Sequence, residues 1–186
     1  MDIKKEIIFP ASELKGQSFL DTKFLNCSFF QQNIRFSSFE KCRFENCDLS
    51  NCLISSSSFE SCIFDGCKLS WINFKDTNIK NCCFQQSVME GCTFEKQKLI
   101  GSTFVKSDLS STYFINCDLT KVPMTTCDLQ RVVFNHCKLT GTVLSGSNLA
   151  GTLFQDCKIG KTEIDLDGFI SFGQSKGFVL EAQNEG

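Results

Sequence analysis

Thirteen cysteines, one histidine and 21 carboxylates are the side chains from which this 186-residue chain could build chemistry. Thiolates ligate soft metals, attack electrophiles or pair as disulfides, and each use needs its own spacing. A zinc site calls for Cys-x-x-Cys pairs or Cys/His clusters. The chain has no Cys-x-x-Cys, and its only histidine is His136. Instead the cysteines follow another rule: twelve of the thirteen fall two residues before a bulky apolar residue, where they alternate with serine and threonine. That is the behaviour of a small buried side chain. Side chains stacked in parallel at interstrand distance are also too far apart for a disulfide, whose Cβ atoms lie about 3.8 Å from each other. Cys83 alone leaves this slot, so it is expected to face outward as the most reactive thiol. The expectation is a chain with no metal, no cofactor and no catalytic residue, hence no enzyme. His136 has no evident nucleophile partner, and no glycine-rich phosphate loop is present.

The element that positions the cysteines is an internal repeat. From Leu14 to Ile164 every fifth residue is bulky and apolar, 31 positions filled by 14 Phe, 10 Leu, 5 Ile and 2 Met. Neither helix nor strand has a period of five, so a repeat architecture is required. Residues i and i−2 share one side of an extended segment. If the chain turns a corner after each five residues, four segments close a square coil and residues twenty apart stack directly. Phe24, Phe44, Phe64, Phe84 and Phe104 then form one interior column. The spacing predicts an all-β rod of about eight coils, roughly 37 Å long at about 4.8 Å per coil.

Triplets such as Cys47-Asp48-Leu49, Ser107-Asp108-Leu109, Cys117-Asp118-Leu119, Cys127-Asp128-Leu129 and Ser147-Asn148-Leu149 carry a resemblance to the pentapeptide-repeat family. The resemblance implies a right-handed quadrilateral β-helix over residues 12–164, with 1–11 as N-terminal cap and start of the first coil. Residues 165–186 then form a C-terminal tail. Ile7 and Phe9 fit the i−2 and i slots, Pro10 breaks pairing after them, and Leu20, Leu25, Phe30 and Phe36 are expected to pack under this segment. The alternative for those four is solvent-facing contact. In the tail, a helix capped by Asp165 or Asp167 and stopped at Gly177 is expected, then a short strand Phe178-Val179-Leu180 and a frayed end from Glu181.

With the interior committed to packing, function must lie outside. Glu40 and Glu60 fall one coil apart, as do Glu45 and Asp65, and together predict an acidic edge. It is either a solvated face partly neutralised by Lys41, Arg43 and Lys68 or a negative surface that competes with DNA for a basic groove. Tyr113, Val133 and Leu153 predict an outward apolar ridge, a candidate dimer interface. Trp71 belongs at a corner, as contact aromatic or as packing. The formal charge of −2 and sequence pI near 5.5 point away from direct nucleic-acid binding. No run is long and apolar enough for a membrane span and no signal peptide is evident, so a cytoplasmic address is expected.

The tail order Ile164-Asp165-Leu166-Asp167 followed by Lys176-Gly177-Phe178-Val179-Leu180 looks like the C-terminus of the Qnr and MfpA quinolone-resistance group. That resemblance implies a homodimer joined head to head through Phe178, Val179 and Leu180. It also implies a DNA-like rod that engages DNA gyrase or topoisomerase IV and protects it from quinolones. Immunity to a gyrase-targeting peptide antibiotic and a scaffold for an unrelated partner remain the alternatives.

Overall fold

The computed structural model describes residues 2–9 and 14–181. Pro10, Ser12 and the end of the tail from Ala182 lie outside the described residues, so the expectations placed on them are not taken further. The chain winds as a four-sided parallel β-solenoid of about eight turns, and every pairing joins residues twenty apart. The first face carries seven strands: Asp2–Lys5, Thr22–Leu25, Arg43–Glu45, Ile63–Asp65, Cys83–Gln85, Thr103–Val105 and Met124–Thr125. The second face is held by single bridges such as Ser28 to Asp48 and Asp108 to Asp128. The third begins as bridged turns and becomes a sheet of Thr93–Glu95, Tyr113–Ile115, Val133–Asn135 and Leu153–Gln155. The fourth does the reverse. Its sheet of Ser18–Leu20, Ser38–Glu40, Ser58–Glu60 and Asn78–Lys80 gives way to bridges through Lys98, Asp118, Lys138 and Lys158.

The corners explain the five-residue period. Every fifth residue from Gly16 to Lys161 has a positive φ, between 47° and 83°. One left-handed residue bends the chain by about a quarter turn, so that the next segment runs along a new side. Most of these corner residues are not glycine, and each such residue costs about 1–2 kcal/mol of backbone energy. Asparagine, which tolerates this region best, takes corners 26, 46, 51, 81 and 116.

The core is a set of axial columns. Phe24, Phe44, Phe64, Phe84 and Phe104 stack with ring centroids 4.8–5.0 Å apart and planes within 10° of parallel. Phe74, Phe94, Phe114, Phe134 and Phe154 form a second column at 4.4–5.2 Å. Neighbouring columns meet edge to face, as Phe94 does with Phe104 at 6.0 Å. Both geometries are favourable for aromatic quadrupoles.

The i−2 residue does more than fill space. Its Sγ, Oγ or amide donates to the carbonyl of the central residue in the previous coil: Cys52 to Phe29, Ser57 to Ile34, Gln97 to Phe74, Thr112 to Met89, Ser147 to Met124. Cysteine, serine and threonine therefore interchange because each is small and each carries a donor.

Three expectations need correction at the rod's ends and sides. Ile159 and Ile164, read as interior, are exposed, because no further coil stacks on the last one. Leu20, Phe30 and Phe36 are exposed rather than packed under residues 2–9. That segment stacks along the rod axis (Phe9 on Phe29 at 4.7 Å), whereas these side chains project radially. Phe36 instead meets Lys15, whose Nζ lies 5.8 Å from the ring centre. Finally, Phe178–Leu180 forms no strand. The Phe178 amide turns back to the Gly173 carbonyl at 3.1 Å, closing the helix end.

The helix itself, α1 (Leu166–Ser175), docks on the last coil. Asp165 is its N-cap: one carboxylate oxygen accepts from the Gly168 amide at 2.9 Å and the other from the Gly146 amide at 2.6 Å. These amides hold the carboxyl below its ordinary pKa. A Cβ on Gly168 would lie 2.8 Å from the Asp165 carboxylate, so only glycine permits this approach. Phe172 covers Phe154 edge-on at 5.7 Å, and Lys176 donates to the Thr152 carbonyl at 2.9 Å. The helix thus satisfies groups that a further coil would otherwise take. Gly177, at φ +88°, ends the helix where a left-handed residue is needed.

Candidate partner-binding surfaces

All thirteen cysteines are free, and eleven are buried. Burial pushes the Cys52 and Cys92 thiols up to about 12 and Cys127 to about 11. Such thiols stay protonated at neutral pH and are poor nucleophiles. Among the described residues no group of three or more His, Cys, Asp or Glu is arranged to hold a metal. Cys83 lies on the outward side of the first face, half-buried, with Sγ 3.8 Å from Gln85 Oε1. Native-state alkylation with iodoacetamide is expected to label Cys83 first and the half-buried Cys157 more slowly. The eleven buried thiols should react only in denaturant. Mass-spectrometric labelling of a buried cysteine at the Cys83 rate would reject the packing role.

The expected acidic edge lies on two adjacent faces, and cations accompany all four members. Glu40 pairs with Lys41 at 3.2 Å and Glu60 with Lys80 at 2.6 Å. Glu45 meets Lys23 at 2.6 Å and also Arg43, and Arg43 reaches Asp65 at 3.1 Å. Lys23, then Arg43, hold the Glu45 carboxyl below the usual range. Lys23, Glu45, Arg43 and Asp65 therefore form one ion-pair chain across three coils. Arg43 was legible from sequence as a partner. Lys23 and Lys80 were missed, although both lie about one coil from the acid they meet, the separation at which side chains of neighbouring coils stand together.

Tyr113, Val133 and Leu153 stand one above another on the third face, joined by the parallel register of their strands. Tyr113 and Leu153 are exposed, and Val133 is half-buried. Beside them Asn135 donates to Gln155 at 2.8 Å, so the ridge has a polar border. Trp71 occupies a corner with φ +63° and stays exposed, its ring lying along the rod against Gly91. A Cβ at Gly91 would fall 2.5 Å from that ring, so glycine here makes the shelf on which Trp71 rests. In the tail, Phe178, Val179 and Leu180 are 74%, 91% and 60% exposed. With Phe169, Ile170 and Phe172 they line an apolar cavity of about 320 Å³.

Profiles for "Pentapeptide repeat region" and "Pentapeptide repeats (8 copies)" match residues 87–164 and 52–91, more than half of the chain between them. The chain belongs to the pentapeptide-repeat family. No curated protein matches it by sequence. Among solved structures, full-length QnrB1, a plasmid-mediated fluoroquinolone resistance protein, is similar at 16% identity and a TM-score of 0.56. That match covers 95% of this chain and 97% of that one. A trypsin-treated form of QnrB1 gives 15% identity and a TM-score of 0.45, covering 97% and 99% of the two chains. HetL, a pentapeptide-repeat protein involved in heterocyst differentiation regulation in the cyanobacterium Nostoc, gives 11% and 0.33 over 82% and 89%. At these identities the likeness is one of fold. No helix among the described residues is long and apolar enough to cross a membrane.

Proposed function

We propose that this pentapeptide-repeat protein is a non-enzymatic binding rod that engages DNA gyrase or topoisomerase IV and protects it from quinolones or another gyrase poison. The observation that carries this reading is the solenoid shared with full-length QnrB1 over 95% and 97% of the two chains. A rod whose interior is filled with stacked side chains has only its outer surface and its ends to offer. The working unit is a cytoplasmic homodimer joined through the exposed apolar tail. A two-fold contact there doubles the rod's length and gives the enzyme a symmetric ligand. Engagement rests on the rod's shape and outer faces rather than on a bare acidic surface, because Glu40, Glu45, Glu60 and Asp65 each face a cation.

Purified protein titrated into a gyrase supercoiling assay with ciprofloxacin present is expected to restore supercoiled product. Neither protection nor inhibition at tens of micromolar would overturn the reading. A second reading, a scaffold for an unrelated partner, draws support from that same neutralised edge. Pull-down of purified gyrase by the immobilised chain separates the two, and immunity to a peptide poison is told apart by repeating the assay with that poison.

A further inference from the structure

The chain's balance of −2 conceals a segregation of charge along the rod. Residues 96–161 hold eight Lys and Arg against four Asp and Glu, a local excess of +4. The solenoid gathers six of these cations on its fourth face. In successive coils that face runs between corners 96 and 101, 116 and 121, 136 and 141, and 156 and 161, all with positive φ. Lys98, Lys138 and Lys158 occupy one outward row, with Asp118 between the first two. Lys96, Lys121 and Lys161 stand at the corners that border it. All six are exposed. Three carboxylates share or border the face: Asp118 pairs with Lys138 at 3.2 Å, Glu95 lies 3.9 Å from Lys96, and Asp156 lies 3.8 Å from the His136 ring. Lys98, Lys121, Lys158 and Lys161 make no ion pair among the described residues, unlike the acidic edge on the earlier coils.

We infer that this lysine face binds the phosphate backbone of nucleic acid. Its cations fall one or two coil steps apart, along a straight line of about 14 Å for three coil steps. An evenly charged polyanion matches that line, and duplex DNA carries about one charge per 1.7 Å of axis. Thr140, half-buried beside the next corner, adds a hydroxyl of the kind that contacts phosphate oxygens, whereas the Thr120 hydroxyl is held by Asp118 at 2.6 Å. An acidic protein partner would ordinarily seek a large apolar anchor there. Exposed isoleucines lie only at the two ends of the face, Ile100 in its first coil and Ile159 in its last, while Leu119 and Leu139 between them are buried. The binding is sequence-independent, since no side chain is placed to enter a groove. It goes beyond the topoisomerase reading and is tested without any topoisomerase.

The test is fluorescence anisotropy of a labelled 30-base-pair duplex with the full-length chain. The expected result is micromolar binding at 50 mM salt with a log–log salt slope of about −3 to −4, a fall of roughly 100-fold by 200 mM. Replacing Lys98, Lys121, Lys158 and Lys161 together with glutamine should flatten the slope and weaken binding at least tenfold at 50 mM, with the circular dichroism unchanged. A matched set on the early coils, Lys5, Lys15, Lys41 and Lys68 to glutamine, should leave binding intact. Absence of binding by the wild type, equal loss in the two sets, or a quadruple variant that binds like the wild type overturns the inference. So does displacement of the duplex by poly-glutamate at equal charge, which would assign the face to an acidic protein.

Discussion

Replacing Phe64 with aspartate is expected to leave no soluble, folded protein. Phe64 is 2% exposed, stacked between Phe44 at 4.8 Å and Phe84 at 4.9 Å and edge-on to Phe59 at 5.7 Å. Truncating such a phenylalanine costs about 3–5 kcal/mol. An unpaired buried carboxylate adds several more, or takes up a proton at comparable cost. Together these approach the whole stability of an ordinary domain, about 5–15 kcal/mol. A solenoid has no second core to hold the halves together, because each coil touches only its neighbours. Phe64→Leu is the control. Leucine fills the same column position elsewhere in the repeat, so that variant should fold with a modest loss in melting temperature. Soluble yield and far-ultraviolet circular dichroism decide, and a soluble aspartate variant with the wild-type spectrum would refute the interior register.

The second large effect is expected at the tail. Phe178→Lys with Leu180→Lys should convert the proposed dimer to a monomer in light scattering at micromolar concentration. Burying either side chain contributes about 1.5–3 kcal/mol, and a two-fold contact counts each twice. The double variant then forfeits roughly 6 kcal/mol or more and brings four lysines together. At about 1.4 kcal/mol per tenfold, that weakens association by 10⁴ or more. Neither residue packs in the core, so the monomer should keep its fold. A variant that still elutes as a dimer would place the interface elsewhere, with the Tyr113, Val133 and Leu153 ridge next to be tested. A wild type that is already monomeric would reject the dimer altogether.

Much of the fold was legible because one feature, the five-residue period, fixes both the columns and the slot before them. From Phe24 to Leu149 every fifth residue is buried. The stop at Gly177 was equally readable, and the helix cap was narrowed to Asp165 or Asp167, of which Asp165 is the one used, since each rests on a local rule. What escaped was whatever the period does not encode. The third face changes from turns to strands between Asn73 and Thr93, yet the interior pattern runs through that point unaltered. The donor role of the i−2 residue was hidden behind its size. The tail strand failed because its apolar residues have no edge within the chain to pair with. Of the candidate surfaces, the neutralisation of Glu60 by Lys80 and the gathering of lysines on one late face both depend on reading charges at intervals of twenty rather than along the chain.

The left-handed corner at every fifth residue also constrains how such a rod can change length. Loss of a single residue between two corners would leave one side of one coil a residue short, unable both to reach its corner and to stay in register with the coils on either side. Loss of five keeps the interior intact but swings everything downstream by a quarter turn, so that the late lysine face would move from above one early face to above its neighbour. Only insertions or deletions of twenty preserve both packing and alignment. Length and the angular bearing of one surface relative to another are thus adjusted in fixed steps, and a five-residue change is a means of re-aiming one end of the molecule against the other.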